Sequence, residues 1–230
     1  MSKQTVFGAL MALALVFGGC QTDTASGSNP AGNVGKKQLV LKGTVFTDSG
    51  GVYTNVGSAY NSATVTSNLP NVTGKITNGE LSYTLPIALP ANTTGGVTLT
   101  VATMTNAFTD ENGNPLYTVT LSAADANTTN LSLKVGSETL SCTSSKASDN
   151  GKTVTMKALS YAYLSKAVTV TGTKIAANDK GQDNFTLKLV EGWNVIYIKH
   201  EQKIPANASA LKTTDFTVKL EQADVDWVVY

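Results

Sequence analysis

From residue 38 onward the apolar side chains fall in short alternating runs, rich in Val, Thr, Ile, Tyr and Phe, that recur about every ten to fifteen residues. No window carries a long apolar stripe at helical spacing, so the pattern predicts an all-β chain. Leu39 to Phe46 and Ala63 to Ser67 are the first strands. Gly74 to Leu85 predicts a hairpin, because Asn78-Gly79 accepts the positive φ angles of a type I′ turn and Leu81, Tyr83 and Leu85 share one face. Pro86 and Pro90 end it. Val97 to Ala102, Leu116 to Leu121 and Leu131 to Val135 continue the series, and Gly136-Ser137 turns the chain into Glu138 to Cys142.

A second series follows the polar stretch Thr143 to Lys152. Thr153 to Leu159, Tyr161 to Leu164, Ala167 to Thr171, Asn184 to Val190, Trp193 to Lys199, Asp215 to Leu220 and Asp224 to Tyr230 read as strands, with a loop from Ala176 to Asp183 and a turn at Glu191-Gly192. In Asn184 to Val190 the side chains of Phe185, Leu187 and Leu189 point one way and those of Thr186 and Lys188 the other. About seven strands on each side of residue 143 predict antiparallel β-sandwiches of the Ig-like or transthyretin-like kind. One broad sandwich or two in series would fit; two, over 38–142 and 143–230, is the favoured division.

The N-terminal part differs in kind. Lys3 precedes an apolar run from Val6 to Phe17, which Gly18, Gly19 and Cys20 close. The segment offers roughly fourteen apolar residues where a membrane-spanning helix needs about twenty. Residues 1–19 therefore predict a signal peptide with a small-residue cleavage site. From Gln21 to Lys37 scarcely any apolar side chain is present, too little to offset the entropy of ordering. Residues 20–37 predict a disordered tether, long enough to let the folded part stand on the order of 20 to 25 Å from its anchor.

Val16, Phe17, Gly18, Gly19 and Cys20 resemble the lipobox of bacterial lipoproteins, in which a small residue precedes an acylated cysteine that becomes the first residue of the mature protein. Phe17 stands where the commonest pattern has Leu, as in the looser boxes of spirochaete lipoproteins. The resemblance implies acyl chains such as palmitate on Cys20. Two or more chains, at about 0.8 kcal/mol per buried CH₂, hold a protein on the membrane for its lifetime. It also implies a cell-envelope address, and Gln21 after the lipid site favours the outer membrane or cell surface over the inner membrane.

Charge narrows the partners. Charged residues make up 14% of the chain, against roughly 25% in typical globular proteins; the net charge is +1 and all 17 basic residues are Lys. Without Arg there is no bidentate fork for phosphate or guanine, and no basic patch stands out, so no nucleic-acid partner is expected. If Cys20 carries lipid, Cys142 has no partner in the chain and a disulfide framework is excluded. Cys142 then reads as a buried packing residue, with a reactive or intermolecular thiol as the alternative.

Catalytic signals are sparse. His200 is the only histidine, which removes His-cluster metal sites and most histidine triads; between Lys199 and Glu201 it reads as a solvated strand end. No serine sits in a Gly-x-Ser-x-Gly elbow. Asp110, Glu111, Asn112 and Asn114 set oxygens around Gly113, a weak calcium candidate, although the same residues make an ordinary turn before Pro115. No other metal or cofactor is expected. Tyr53, Tyr60, Tyr161, Tyr163, Trp193 and Trp227 are candidates for a flat sugar- or protein-binding face, while Trp193 and Tyr197 share a strand face, which favours core packing.

Tyr161-Ala162-Tyr163, Val168 to Gly172, Asn184 to Leu189 and Gly192 to Val195 resemble the C-terminal part of uncharacterised envelope lipoproteins from spirochaetes and Bacteroidetes. That likeness implies location and fold and carries over no functional residue. The expectation is a membrane-anchored envelope lipoprotein whose β-sandwiches bind a protein or glycan without turnover. Two alternatives stand beside it: an assembly subunit that pairs through a sheet edge, and a secreted hydrolase using a carboxylate pair.

Overall fold

The structure is a computed structural model of the chain and describes residues 22–23, 33–49, 52–110, 112–147, 152–175, 184–205, 212–220 and 225–230. In chain order the strands are β1 (Thr22–Asp23), β2 (Asn33–Gly35), β3 (Leu39–Ser49), β4 (Val52–Asn55), β5 (Ala63–Ser67), β6 (Gly74–Thr77), β7 (Glu80–Leu85), β8 (Gly96–Thr98), β9 (Tyr117–Leu121), β10 (Asn127–Asn130), β11 (Leu133–Val135), β12 (Glu138–Ala147), β13 (Thr153–Leu164), β14 (Val168–Lys174), β15 (Asn184–Leu189), β16 (Gly192–Lys203), β17 (Lys212–Lys219) and β18 (Asp226–Val229). Helix α1 (Val101–Ala107) lies between β8 and β9.

Seven of these strands close into a barrel. Pairing runs β3–β7–β6–β5–β11–β12–β18 and returns from β18 to β3. The closing contact is parallel, with Trp227 opposite Val45, while the other six are antiparallel. The β6–β7 hairpin turns on Asn78 at φ 52 and Gly79 at φ 81, as the Asn-Gly pair predicts. Period-two alternation then sends Leu81, Tyr83 and Leu85 inward, where they meet Leu41, Val65, Ile76, Leu133, Leu140 and Trp227 in one apolar core.

A second core lies behind the barrel. The later part of β12 leaves β11 and pairs with β13, and β13 pairs along its whole length with β16. Along β16, Trp193, Val195 and Tyr197 enter the barrel core, while Ile196 and Ile198 between and beyond them enter the second. A strand buried on both faces reads as a continuous apolar run rather than an alternating one. The second face is covered by the three-stranded sheet β9–β14–β15 and by Phe108. Phe108 meets Tyr117, Phe185 and Phe216 edge-on, with ring centroids 6.3, 5.0 and 5.9 Å away.

The chain is all-β with one short helix, but its main sheet is a closed barrel with added strands rather than two sandwiches in series. The difference comes from the parallel return of β18 to β3 and from β13 and β16 serving both cores. The expected boundary between residues 142 and 143 falls inside β12. Two shorter expectations also change. A strand over Val97 to Ala102 gives way to β8 and α1, because Thr100 caps the helix: its Oγ1 accepts from Thr103 N at 3.0 Å, and Thr103 Oγ1 accepts from Thr100 N at 2.9 Å. Within the expected tether, Thr22–Asp23 pairs with Val40–Leu41, and Asn33–Gly35 pairs with the start of β16. Backbone pairing needs no apolar side chain, which is why a polar composition did not reveal it.

Candidate functional site

Cys20 lies outside the described residues. Cys142 is fully buried in the barrel core opposite Trp227, and it is disulfide-bonded rather than a free thiol. Cys20 is the only other cysteine in the chain. The expectation of a buried Cys142 holds, whereas that of an unpartnered one does not.

The calcium candidates resolve into a turn. Asp110 Oδ1 accepts from the backbone N–H of Asn112 and of Asn114, both at 2.9 Å, and Asp110 Oδ2 accepts from Asn114 Nδ2 at 3.3 Å. Gly113 sits at φ 80, and Thr109 bridges Pro115. The Asp110 carboxylate thus serves its own loop. Glu111 falls outside the described residues. No group of three or more potential metal ligands occurs among the described residues.

The six candidate aromatics do not form an exposed platform. Tyr161, Trp193 and Trp227 are wholly buried, and Tyr60 and Tyr163 pack against the barrel core. Trp193 Nε1 donates to Pro86 O at 2.7 Å and Trp227 Nε1 to Lys42 O at 3.2 Å, so each indole satisfies its polar edge internally. Tyr53 stacks at a tilt on Phe46, with centroids 6.4 Å apart.

What the fold does bring together is charge, at the far end of β16 and β17. Glu201 and Asp215 stand directly opposite one another across the two strands. Lys199, on the same face of β16 as Glu201, reaches both: its Nζ lies 2.6 Å from Asp215 Oδ2 and 3.8 Å from Glu201 Oε2. Lys203 Nζ lies 3.4 Å from Glu201 Oε1. A bulge between Glu201 and Gln202 leaves Thr214 as an extra residue, and its hydroxyl donates to Glu201 O at 3.3 Å. Lys157 of β13 stands opposite Lys199. The Asp215 hydrogen bond holds the Lys199 ammonium above the ordinary lysine range, against the smaller opposing effect of burial. Farther along the same face, Lys219 Nζ sits 5.3 Å above the Tyr197 ring.

The reverse face of that strand end is polar and buried. His200 is 5% exposed, which corrects its reading as a solvated strand end. Strand β16 runs four residues past the expected Lys199 to Lys203, with β13 and β17 paired on either side, and so carries His200 into the second core. Its Nε2 is 2.8 Å from Thr213 Oγ1, and its ring meets Phe216 edge-on at 5.7 Å. Gln202, 1% exposed, finds no hydrogen-bond partner for its amide oxygen or nitrogen among the described residues. His200 and the Glu201–Asp215 pair point to opposite faces, so they do not assemble into one catalytic group. Each carboxylate of that pair faces an ammonium rather than a second carboxylate proton, an arrangement suited to charge recognition more than to proton transfer.

Sequence reading passed over Glu201 and Asp215 because each looked like an isolated outward acid. The available signal was the alternation of charges in Lys199 to Lys203 beside the outward Asp215. No protein-family model, curated protein or solved structure matches the chain.

Proposed function

We propose that the chain is an exported protein that presents the charged end of β16 and β17 to a protein partner and binds it without turnover, with Cys20 pairing the disulfide-bonded Cys142 rather than carrying lipid. The observation that carries this reading is the Lys199–Glu201–Lys203–Asp215 cluster, a concentration of paired, half-exposed charge in a chain with few charged residues. Pre-paired charges of both signs favour orientation and selectivity over raw affinity. A protein partner fits better than a glycan, because the aromatic rings that would stack on sugar are spent in the cores. The signal-peptide pattern of residues 1–19 and the disulfide at Cys142 both support an exported, oxidising address.

Two measurements test the proposal. Intact mass of the protein exported from a lipoprotein-competent bacterium should show a chain that retains Cys20, carries no acyl mass and gains two hydrogen atoms on reduction. A chain beginning at an acylated Cys20, with the acyl mass lost in Cys20→Ser, would overturn the Cys20–Cys142 pairing and make the protein lipid-anchored. Screening the purified protein against glycosidase, esterase and protease substrates should show no turnover. Activity that survives repurification and disappears in Glu201→Gln/Asp215→Asn would replace binding with hydrolysis.

A further inference from the structure

At the far end of β16, lysines stand opposite lysines. Strand register sets Lys157 of β13 opposite Lys199, and Lys203 opposite Lys212 of β17. Between these two pairs lies the opposed pair Glu201–Asp215. Gln202 and Thr213, the intervening cross-strand pair, are both buried on the reverse face, so period-two alternation turns all six charged side chains to one side. Like charges directly opposite one another destabilise a sheet. Two Lys–Lys pairs in one patch are therefore an unusual concentration of positive charge, kept in a chain with few charges to place.

The patch's own acids do not neutralise it. Lys199 takes Asp215 and reaches Glu201, and Lys203 shares Glu201. Lys157, half-buried, and Lys212, exposed, make no ion pair among the described residues. From β13, Thr155 stands opposite Glu201 and Thr153 opposite Lys203, and neither brings charge. Four ammoniums thus face two carboxylates, and the excess sits at the two ends of the patch. Lys199 and Lys203 are four residues apart along β16, about 13 Å at strand rise, with the acid pair midway. An extended peptide has the same spacing: its side chains at i, i+2 and i+4 share one face. Carboxylates at i and i+4 would each meet one lysine pair, their two oxygens serving two ammoniums. A side-chain N–H donor at i+2 would meet Glu201 and Asp215.

We infer that this strand end binds an extended acidic segment of a partner protein, with carboxylates at i and i+4 on the Lys157–Lys199 and Lys203–Lys212 pairs and an N–H donor at i+2 on Glu201 and Asp215. The inference rests on the partner-binding reading above and gives that partner its chemistry. A nucleic acid or an anionic membrane fits less well, because its unbroken negative charge would press on the two central acids.

The test titrates the isotope-labelled exported protein with a blocked peptide, Thr-Asp-Thr-Lys-Thr-Asp-Thr, and follows backbone amide shifts. A control of the same composition, Thr-Asp-Thr-Lys-Asp-Thr-Thr, puts its two carboxylates on opposite faces. The first peptide should move amides at 155–157, 199–203 and 212–217, and the control should bind about tenfold more weakly. Lys157→Gln/Lys212→Gln should weaken the first peptide about tenfold, as loss of two exposed pairs implies, while Lys134→Gln on the barrel wall leaves it unchanged. No shift at millimolar peptide, or equal binding of both peptides, overturns the inference. Phosphatidylglycerol vesicles that bind the parent and not Lys157→Gln/Lys212→Gln would assign the face to a membrane and overturn it too. A partner protein whose capture is lost in Glu201→Gln/Asp215→Asn but kept in Lys157→Gln/Lys212→Gln leaves the partner-binding reading standing and overturns the acidic segment alone. A partner held equally by the parent and both double variants overturns the partner-binding reading itself.

Discussion

Gly192 and Gly35 meet backbone to backbone: a Cβ on Gly192 would lie 2.4 Å from both the carbonyl carbon and the oxygen of Gly35. Gly192 also sits at φ +95, where a side chain is strained whatever the space around it. Gly192→Ala is therefore expected to cost about 1–3 kcal/mol from conformation alone, and more from displacing β2. Gly136, at φ +62 with nothing within 4 Å of its would-be Cβ, is the control, since Gly136→Ala carries the conformational part without the clash. Urea midpoints should fall in both variants and farther in Gly192→Ala, with hydrogen exchange accelerated at 33–35 in that variant alone. Equal losses would mean that the contact between the two glycines holds nothing together.

Alkaline stability follows from the buried tyrosines. Burial raises the pKa of Tyr161 well above the ordinary phenol value, and burial likewise raises that of Tyr230, with the Thr143 hydrogen bond working the other way. A group whose folded pKa is raised contributes its stability in full below the unfolded value near 10 and loses it as pH climbs toward the folded value. Each such tyrosine steepens the loss by up to about 1.4 kcal/mol per pH unit. Melting temperature should thus be flat from pH 8 to about 9.5 and drop steeply above about 10. Tyr230→Phe should flatten that drop, and an unchanged slope would remove Tyr230 from the account.

Tyr161→Phe tests a different cost. The Tyr161 hydroxyl is fully buried without a hydrogen-bond partner among the described residues, so it has given up its water for nothing visible. Replacing it by hydrogen should raise stability by up to about 1–3 kcal/mol at neutral pH. Chemical denaturation at pH 7 checks the sign, and a loss of stability would reveal that the hydroxyl is satisfied after all.

Local signals were readable in the sequence and distant ones were not. Asn78-Gly79 forms its hairpin from neighbouring residues alone, and the strict alternation of Asn184 to Leu189 gives β15 its buried and exposed faces directly. The parallel contact of Trp227 with Val45 joins residues far apart in sequence, and nothing in Asp226 to Val229 names its partner. Helix α1 hides in β-branched residues, which favour strands; only the Thr100–Thr103 cap distinguishes it. His200 was misplaced for a related reason. A strand covered on both faces offers no alternation to show where it ends. The Glu201–Asp215 pair depends on the β16–β17 register and its bulge, which no local pattern fixes.

Phe108 joins the helix to the second core, packing edge-on against Tyr117, Phe185 and Phe216 while capping α1 through its N–H to Thr105 O at 3.1 Å. Phe108→Ala should cost about 3–5 kcal/mol. Near-ultraviolet dichroism should weaken, because four rings lose their common packing. Phe108→Leu, which fills more of the space, should recover part of the loss, and a variant as stable as the parent would place Phe108 outside the core.

Lys199 separates two carboxylates that the strand register sets face to face. Lys199→Met keeps much of the apolar stem and removes the ammonium, leaving Glu201 opposite Asp215 with only Lys203 nearby. Half-exposed pairs are worth about 0.2–1 kcal/mol, and like charges opposite one another on a sheet cost a similar amount. The expected loss is therefore under about 2 kcal/mol, shrinking in 1 M salt, where the screening length falls to about 3 Å. Adding Asp215→Asn to Lys199→Met should return most of it, because the repulsion needs both acids. The lysine is held above its ordinary pKa by Asp215, so its contribution is complete below about pH 10 and disappears only above that. A large loss indifferent to salt and to Asp215→Asn would show that Lys199 acts through packing, and would take from the charged end of β16 and β17 the electrostatic character on which partner binding is proposed to rest.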